Sequence, residues 1–177
     1  MEENTQPAVT TRSVGLRYGV ILAAISIVYF TVLTVMNVDM TQGAARWASI
    51  VFYVAVIYLA QKNFLSNGDG FMGYGQGMGV VFWIGLVSST IYSIFFYVYI
   101  KFIDSGFAET IKDKQIEEMQ NRGMSDGQID QAMDMASKFM SPEALLIFGF
   151  LGGIIFVVIT GLIVTIFTQK ANQQASL

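Results

Sequence analysis

The acidic residues are the main candidates for chemistry in this chain, because the sequence contains no cysteine and no histidine. Thiolate catalysis and the commonest metal ligand are therefore excluded, and the usual general base is missing. Asp126, Asp130 and Asp134 recur every four residues, so they share one helical face and repel one another. The alternating acids and fixed glycine of an EF-hand do not fit this spacing. The pattern favours a solvated acidic face, with binding of a divalent cation or a basic partner as the alternative.

A glycine-rich run from Gly68 to Gly79 is the second candidate. Nucleotide binding would require a preceding strand, a helix N-terminus that cradles phosphate and, for a P-loop, a Gly-Lys-Ser/Thr ending. The sequence around the run has none of these features. The run is therefore interpreted as a flexible turn followed by small residues on a helix. No catalytic, cofactor-binding or metal-binding residue is assigned, and no nucleic-acid partner is expected.

The composition indicates a membrane protein, since 54% of the 177 residues are hydrophobic and only 13% are charged. The mean hydropathy of +0.54 is far too high for an ordinary water-soluble domain. Charged side chains are absent from residues 18–38, 47–61, 70–100 and 144–169. A helix needs about 20 apolar residues to cross a hydrocarbon core of about 30 Å. The sequence therefore predicts an all-α polytopic membrane protein with four transmembrane helices, at about 16–38, 44–61, 77–103 and 143–168.

The second of these spans is the shortest. It crosses fully only if Arg46 and Lys62 extend their charges outward along their methylene stems; the alternative is a re-entrant or interfacial segment. The fourth span has a well-marked start, because Ser141 suits an N-cap and Pro142 suits the first helical turn. The predicted domain covers residues 14–170, between a disordered polar tail at 1–13 and a polar tail at 171–177.

Small residues recur at intervals of four inside the predicted spans, a spacing that lets helix backbones approach closely in lipid. Packing within the chain is one interpretation, and homo-oligomerisation through the same faces is the other. The predicted packing residues are Gly15, Gly19 and Ala23 in the first span, Gly85 and Ser89 in the third, and Gly149 and Gly153 in the fourth.

The polar segment 104–141 is predicted to form an amphipathic helical hairpin. Ser125 followed by Gln128 fits a capping box, and Ile129, Met133, Ala136 and Met140 recur at helical spacing. The segment contains eight carboxylates and four cations, so it is acidic. It should lie against the membrane or a protein partner. The partner surface predicted on it consists of Asp126, Asp130, Asp134, Met133 and Met140.

No Asp, Glu, Lys, Arg or His lies in the interior of a predicted span. Proton relays, ion-coupled transporters and voltage sensors depend on such residues, so these mechanisms are disfavoured. The chain is expected not to be an enzyme, because it also lacks cysteine and histidine. The leading hypothesis is an accessory or scaffold protein whose acidic hairpin contacts a partner or the membrane surface. The alternative is an oligomeric passive channel or small-molecule transporter, with hydroxyls and glycine backbone lining a pore between copies.

The basic residues around the first span set the expected orientation. Arg12 and Arg17 precede the span, and Arg46 alone follows it. This distribution favours both termini in the cytoplasm and the hairpin outside, because the first helix usually dominates orientation. A plain count of Lys and Arg over the whole chain gives four on the side of the termini and six on the other, and so does not support this orientation.

Five stretches of the sequence support a comparison with a known family: Phe71–Gly79, Ile91–Tyr99, Phe102–Asp104, Gly123–Ser125 and Phe139–Pro142. They resemble an uncharacterised bacterial membrane-protein family, domain of unknown function 4199. The resemblance follows the order of elements over nearly the whole chain. It implies four transmembrane helices in the cytoplasmic (inner) membrane of a Gram-negative bacterium and supplies no activity, cofactor or catalytic residue. Ser105 stands where that family usually has a proline, which weakens the rigid turn expected there.

Overall fold

The protein is described by a computed structural model over residues 9–38, 43–137 and 139–170, without the side chains of Arg46 and Ala108. The tail predicted at 171–177, and residues 1–8 of the tail predicted at 1–13, lie outside these ranges. The described residues form six α-helices and one π-helical turn and contain no strand. The helices are α1 (Thr11–Val35), α2 (Gly43–Asn67), α3 (Tyr74–Val98), α4 (Phe107–Asn121), α5 (Asp126–Ser137) and α6 (Pro142–Thr168), and the π-helical turn is Tyr99–Ile103.

Four of the described helical segments are long and apolar enough to cross a membrane. They contain 25, 25, 30 and 27 residues, and the third continues from α3 through the π-helical turn. The structure confirms the predicted all-α class, with α4 and α5 between the third and fourth of these segments. The short charge-free stretch 47–61 lies within α2. The 25 residues of this helix would extend about 37 Å at about 1.5 Å each.

Helix α1 starts earlier and ends earlier than predicted. Its start lies inside the segment assigned to the polar tail, because the Thr10 hydroxyl accepts a hydrogen bond from the Ser13 backbone at 3.0 Å and the Ser13 hydroxyl accepts one from the Thr10 backbone at 3.1 Å. This reciprocal cap satisfies two backbone donors. At the other end Asn37 has a φ of 53°, and the Val38 N–H donates to the Leu33 carbonyl at 2.9 Å. This left-handed residue terminates the helix before residue 38.

The chain divides into two compact units. The first, residues 1–92 and 152–177, contains α1, α2 and the larger parts of α3 and α6. Its core comes from all four helices; the residues at its centre are fully or almost fully buried and include Leu22, Ile57, Val80, Val81, Ile84 and Val157. In lipid, dispersion between such well-packed side chains holds helices together.

The second unit, residues 93–151, contains the α4–α5 hairpin and the adjoining ends of α3 and α6. Gly123 ends α4 with a φ of 76°, and the Met124 N–H donates to the Met119 carbonyl at 3.2 Å. At the start of α5 the Gln128 side chain accepts a hydrogen bond from the Ser125 backbone at 3.0 Å. The start predicted for the fourth span is confirmed, since the Ala144 N–H donates to the Ser141 hydroxyl at 3.2 Å.

Candidate functional site

The acidic face of α5 consists of Asp126, Asp130 and Asp134, and all three are exposed. The opposite face of the helix is interior, where Ile129 and Met133 are 5% and 6% exposed. Met133 therefore belongs to the interior of the hairpin, and its assignment to the partner surface needs correction. The reason is geometric: residues 129 and 133 lie one turn apart on the apolar stripe that α5 buries. Met140 is half-buried.

The charge on this face is not balanced by ion pairs within the described side chains. An ion pair on the hairpin joins Glu118 of α4 to Arg122, the residue that follows α4, at 3.6 Å. Neither residue belongs to the acidic face of α5. Like charges one turn apart repel, so a cation or a basic surface docking there would relieve the repulsion. No group of three or more metal-ligating side chains occurs in the described part of the chain. The face therefore fits a basic surface better than a chelated metal ion.

Apolar side chains lie next to the acidic face. Met135 and Phe139 are 63% and 54% exposed. The Phe139 ring meets the Phe148 ring of α6 edge-on at 5.4 Å. A cavity of about 300 Å³ lies beneath Phe139 and is lined by Ile111, Gln115, Ala136, Met140 and Leu145 as well. The hairpin thus presents an acidic face and an apolar edge side by side.

Two sets of contacts hold the ends of α3, α4 and α6 together in the second unit. The Lys101 ammonium group donates to the Tyr97 hydroxyl at 2.5 Å and pairs with Glu143 of α6 at 3.2 Å. The Phe107 ring at the start of α4 packs edge-on against the Phe96 and Tyr99 rings, at 5.5 and 5.9 Å. These contacts hold α4 at the end of α3 and tie the start of α6 to the same place.

The first unit brings most of the predicted small-residue stripes into direct contact with other helices. A Cβ atom on Gly19 would lie 2.7 Å from the Val87 Cβ, and one on Gly15 would overlap the Trp83 Cβ, so α1 packs on α3 through these glycines. Ala23 is 1% exposed. A Cβ on Gly153 of α6 would lie 2.6 Å from the Ser89 hydroxyl of α3.

The contacts between α3 and α6 repeat every four residues along both helices. A Cβ on Gly85 would meet the Val157 Cβ at 3.4 Å, one on Gly77 would lie 2.5 Å from the Thr165 Cγ2, and one on Gly161 would overlap Val81. In each of these three contacts, a glycine on one helix faces a larger residue on the other. The chain itself occupies these faces, so a second copy could use them only if the helices separated.

The second unit contains the remaining predicted packing residue. A Cβ on Gly149 would lie 3.7 Å from the Ser93 hydroxyl, at ordinary contact distance. Ser93 is 4% exposed, and its hydroxyl oxygen has no hydrogen-bond partner among the described groups. Gly149, opposite Ser93, has no side chain that could donate to or accept from this hydroxyl.

A buried polar cluster, here called the Gln61 joint, connects α2, α3 and α6 and was not predicted. Gln61 is fully buried. Its amide nitrogen donates to the Thr165 hydroxyl at 2.7 Å and to the Gly77 carbonyl at 3.3 Å, and its amide oxygen accepts from the Thr168 hydroxyl. Both ends of the amide have hydrogen-bond partners, so the joint fastens three helices together.

The glycine-rich run forms a turn held by its own polar groups, as expected. The Phe71 N–H donates to the Asp69 carboxylate at 3.0 Å, and Gly70 has a φ of 81°. Met72 and Lys170 exchange two backbone hydrogen bonds of 2.9 Å, so the turn is tied to the end of α6. These bonds occupy backbone groups that a phosphate-binding loop would have to present.

The comparisons with known proteins identify a family and no function. A family model described as "Protein of unknown function (DUF4199)" matches residues 17–170. This match confirms the resemblance noted from the sequence. No curated protein and no solved structure matches the chain.

Proposed function

Because the chain belongs to the family described as Protein of unknown function (DUF4199), whose name assigns no activity, we propose a function from its contacts. The chain is a non-catalytic accessory or scaffold protein of a membrane, and its hairpin docks a basic surface of a protein partner through Asp126, Asp130 and Asp134. The observation that carries this proposal is the exposure of all three carboxylates on one face of a helix whose other face is buried.

The anchoring of the hairpin supports a docking role. The Lys101–Glu143 ion pair and the rings around Phe107 fix α4 and α6 to the end of α3. A preorganised surface loses less conformational entropy when a partner binds. The apolar edge at Met135 and Phe139 would add area to an interface whose specificity comes from charge.

Charge neutralisation tests this docking role. The triple variant Asp126→Asn, Asp130→Asn, Asp134→Asn is expected to reduce crosslinking of the full-length chain to a basic partner in native membranes at least several-fold, because rim charges govern association. The yield of the wild-type complex should also fall as salt rises. The measurement is quantitative mass spectrometry of the crosslinked complex.

The matched control removes the same number of charges from α4, through Glu109→Asn, Asp113→Asn and Glu117→Asn, all exposed in the structure. This control is expected to retain the partner. Equal losses in both triple variants, or an undiminished yield in the α5 variant, would refute docking through the acidic face. Membrane insertion of every variant is checked by resistance to alkaline carbonate.

We also propose that the chain lies in the bacterial cytoplasmic membrane with both termini in the cytoplasm. Arg12, Lys62 and Lys170 each lie over an aromatic ring, at 5.2, 5.8 and 5.8 Å from the ring centre. Arg12 lies at the start of α1, Lys62 lies near the end of α2, and Lys170 follows the end of α6. All three cations are at the end of the bundle that contains the Gln61 joint. Lys and Arg next to a span are typical of the cytoplasmic side, whereas aromatic rings border both interfaces, so the cations support this orientation.

Reporter fusions test the orientation. Alkaline phosphatase fused after Asp126 is expected to be active, and the same enzyme fused after Leu177 is expected to be inactive, because it folds only outside the cytoplasm. A green fluorescent protein at the two positions should give the opposite pattern. Phosphatase activity at Leu177 with none at Asp126 would reverse the proposed orientation.

A further inference from the structure

A cavity in the first unit has no part in the hairpin proposal. It lies between α1, α2 and α3, has a volume of about 180 Å³, and is lined by eight residues. Five of the lining side chains carry an aromatic ring, and five carry a hydroxyl group. The hydroxyl-bearing residues are Ser26, Tyr29, Ser49, Tyr53 and Tyr92. Pockets that combine apolar walls with a few polar groups are the usual sites for small ligands.

The aromatic walls of this cavity are fixed by contacts with one another. The Tyr29 and Phe52 rings meet at 5.3 Å with an interplanar angle of 72°, which is edge-to-face packing. Phe30 and Tyr92 meet in the same manner at 6.3 Å and 82°. Rings held in this way form rigid walls, and a flat aromatic or quinonoid ring is complementary to such walls.

The hydroxyl groups supply hydrogen bonds to an oxygen on such a ring. The Tyr29 hydroxyl donates to the Ala45 carbonyl at 2.5 Å, which fixes its direction. Ser26 of α1 and Tyr53 of α2 both line the cavity. Each hydroxyl carries one proton that it can donate to a carbonyl oxygen of a ligand.

Charge, size and depth restrict the ligand further. None of the lining residues is ionisable at neutral pH, so nothing in the lining would compensate a charged group such as a phosphate. Pockets for drug-sized molecules have roughly 300–1,000 Å³, so about 180 Å³ accommodates little more than one ring.

Ser26 and Tyr29 lie nine and six residues before the end of α1. At about 1.5 Å per residue this places them roughly 9–14 Å inside the helix end, a depth that a molecule dissolved in lipid reaches.

We propose that this cavity binds the uncharged ring of a lipid-soluble quinone. One carbonyl oxygen accepts a hydrogen bond from the Tyr53 or Ser26 hydroxyl, and the ring packs among Tyr29, Phe52 and Tyr92. The apolar tail of the quinone extends into the bilayer. This site shares no residue with the acidic face, so it does not depend on the docking role of the hairpin.

Equilibrium binding of decylubiquinone to the full-length chain in phosphatidylcholine nanodiscs tests the site. Saturable binding of one quinone per chain is expected. The double variant Ser26→Ala, Tyr53→Phe keeps every ring and removes the hydroxyl pair, so it is expected to raise the Kd about tenfold, the loss typical of one or two hydrogen bonds. The matched control Tyr58→Phe removes a tyrosine hydroxyl from α2 outside the cavity lining and should leave the Kd unchanged.

A second ligand tests whether binding depends on the oxygen atoms of the quinone or only on the size of its ring. Decylcyclohexane has a six-membered ring and the same tail length but no oxygen, and it is expected to compete poorly with decylubiquinone. Equal affinity for the two molecules would overturn the proposal, as would non-saturable binding or equal effects of the double variant and the Tyr58→Phe control. Circular dichroism and the Tm of each variant verify that the bundle is folded, and Tyr53→Phe alone serves if the double variant is not.

Discussion

Replacing Gly161 with alanine is expected to destabilise the helical bundle by about 1–3 kcal/mol, the usual cost of overpacking a close contact. A Cβ atom at this position would lie 2.6 Å from the Val81 Cγ2 and 3.0 Å from the Val81 Cβ. Val81 is fully buried on α3. The measurement is the free energy of unfolding from a titration of the purified chain in mixed micelles with sodium dodecyl sulfate, followed by circular dichroism.

Gly152 provides the matched control on the same helix. A Cβ at Gly152 meets nothing within 4 Å, so Gly152→Ala is expected to be neutral or to stabilise by up to about 1 kcal/mol through helix propensity. The second-site change Val81→Ala removes the overlapping methyl groups and should recover most of the loss in Gly161→Ala. Equal stabilities of the two glycine variants, or a double variant no better than Gly161→Ala alone, would contradict close packing of α3 on α6.

The small-residue stripes show which part of the packing was accessible to prediction. The spacing of Gly15, Gly19, Gly149 and Gly153 follows from the helical period, so their placement on helix faces could be predicted locally. The partner of each glycine could not be predicted, because Trp83 and Val87 are far away in the sequence and the register between helices depends on all side chains together. Gly77 and Gly161 also make close contacts, and their partners could not be predicted for the same reason.

The hairpin was predicted in more detail, since its signals are local. The left-handed turn at Gly123 and the polar cap at Ser125 are short-range features, and the structure contains both. The exposure of each residue depends on tertiary packing instead. Met133 and the three aspartates occupy one short helix, yet only the structure separates the buried methionine from the exposed acids.

The Gln61 joint could not be predicted because hydropathy assigns a glutamine at the end of an apolar run to the interface. Its partners Thr165 and Thr168 are 104 and 107 residues away in the sequence. A weak signal existed, since both threonines lie one turn apart on a helix with few other polar groups. Hydroxyls in membrane helices usually bond to their own backbone, as Thr160 of the same helix does with the Phe156 carbonyl at 2.8 Å.

Substitution of Gln61 by alanine is expected to destabilise the bundle by about 2–4 kcal/mol, which exceeds the loss expected from any single hydrogen bond. The variant leaves a void where a fully buried side chain was and breaks the links to Thr165, Gly77 and Thr168. The same unfolding titration in sodium dodecyl sulfate measures the effect. Because the joint connects α2 to both α3 and α6, loss of the amide should also increase hydrogen exchange in the last turns of α2.

A second substitution separates hydrogen bonding from packing at this position. Gln61→Met keeps the length of the side chain and removes the amide, so it is expected to lose about 1–2 kcal/mol, the sum of two or three hydrogen bonds in a membrane. Gln169→Ala changes an exposed glutamine near the same end of α6 and should stay within about 0.5 kcal/mol of the wild type. If Gln61→Met were as stable as the wild type, the joint would contribute through shape alone. If Gln61→Ala were equally stable, α2 would not be fastened to α3 and α6 through this residue.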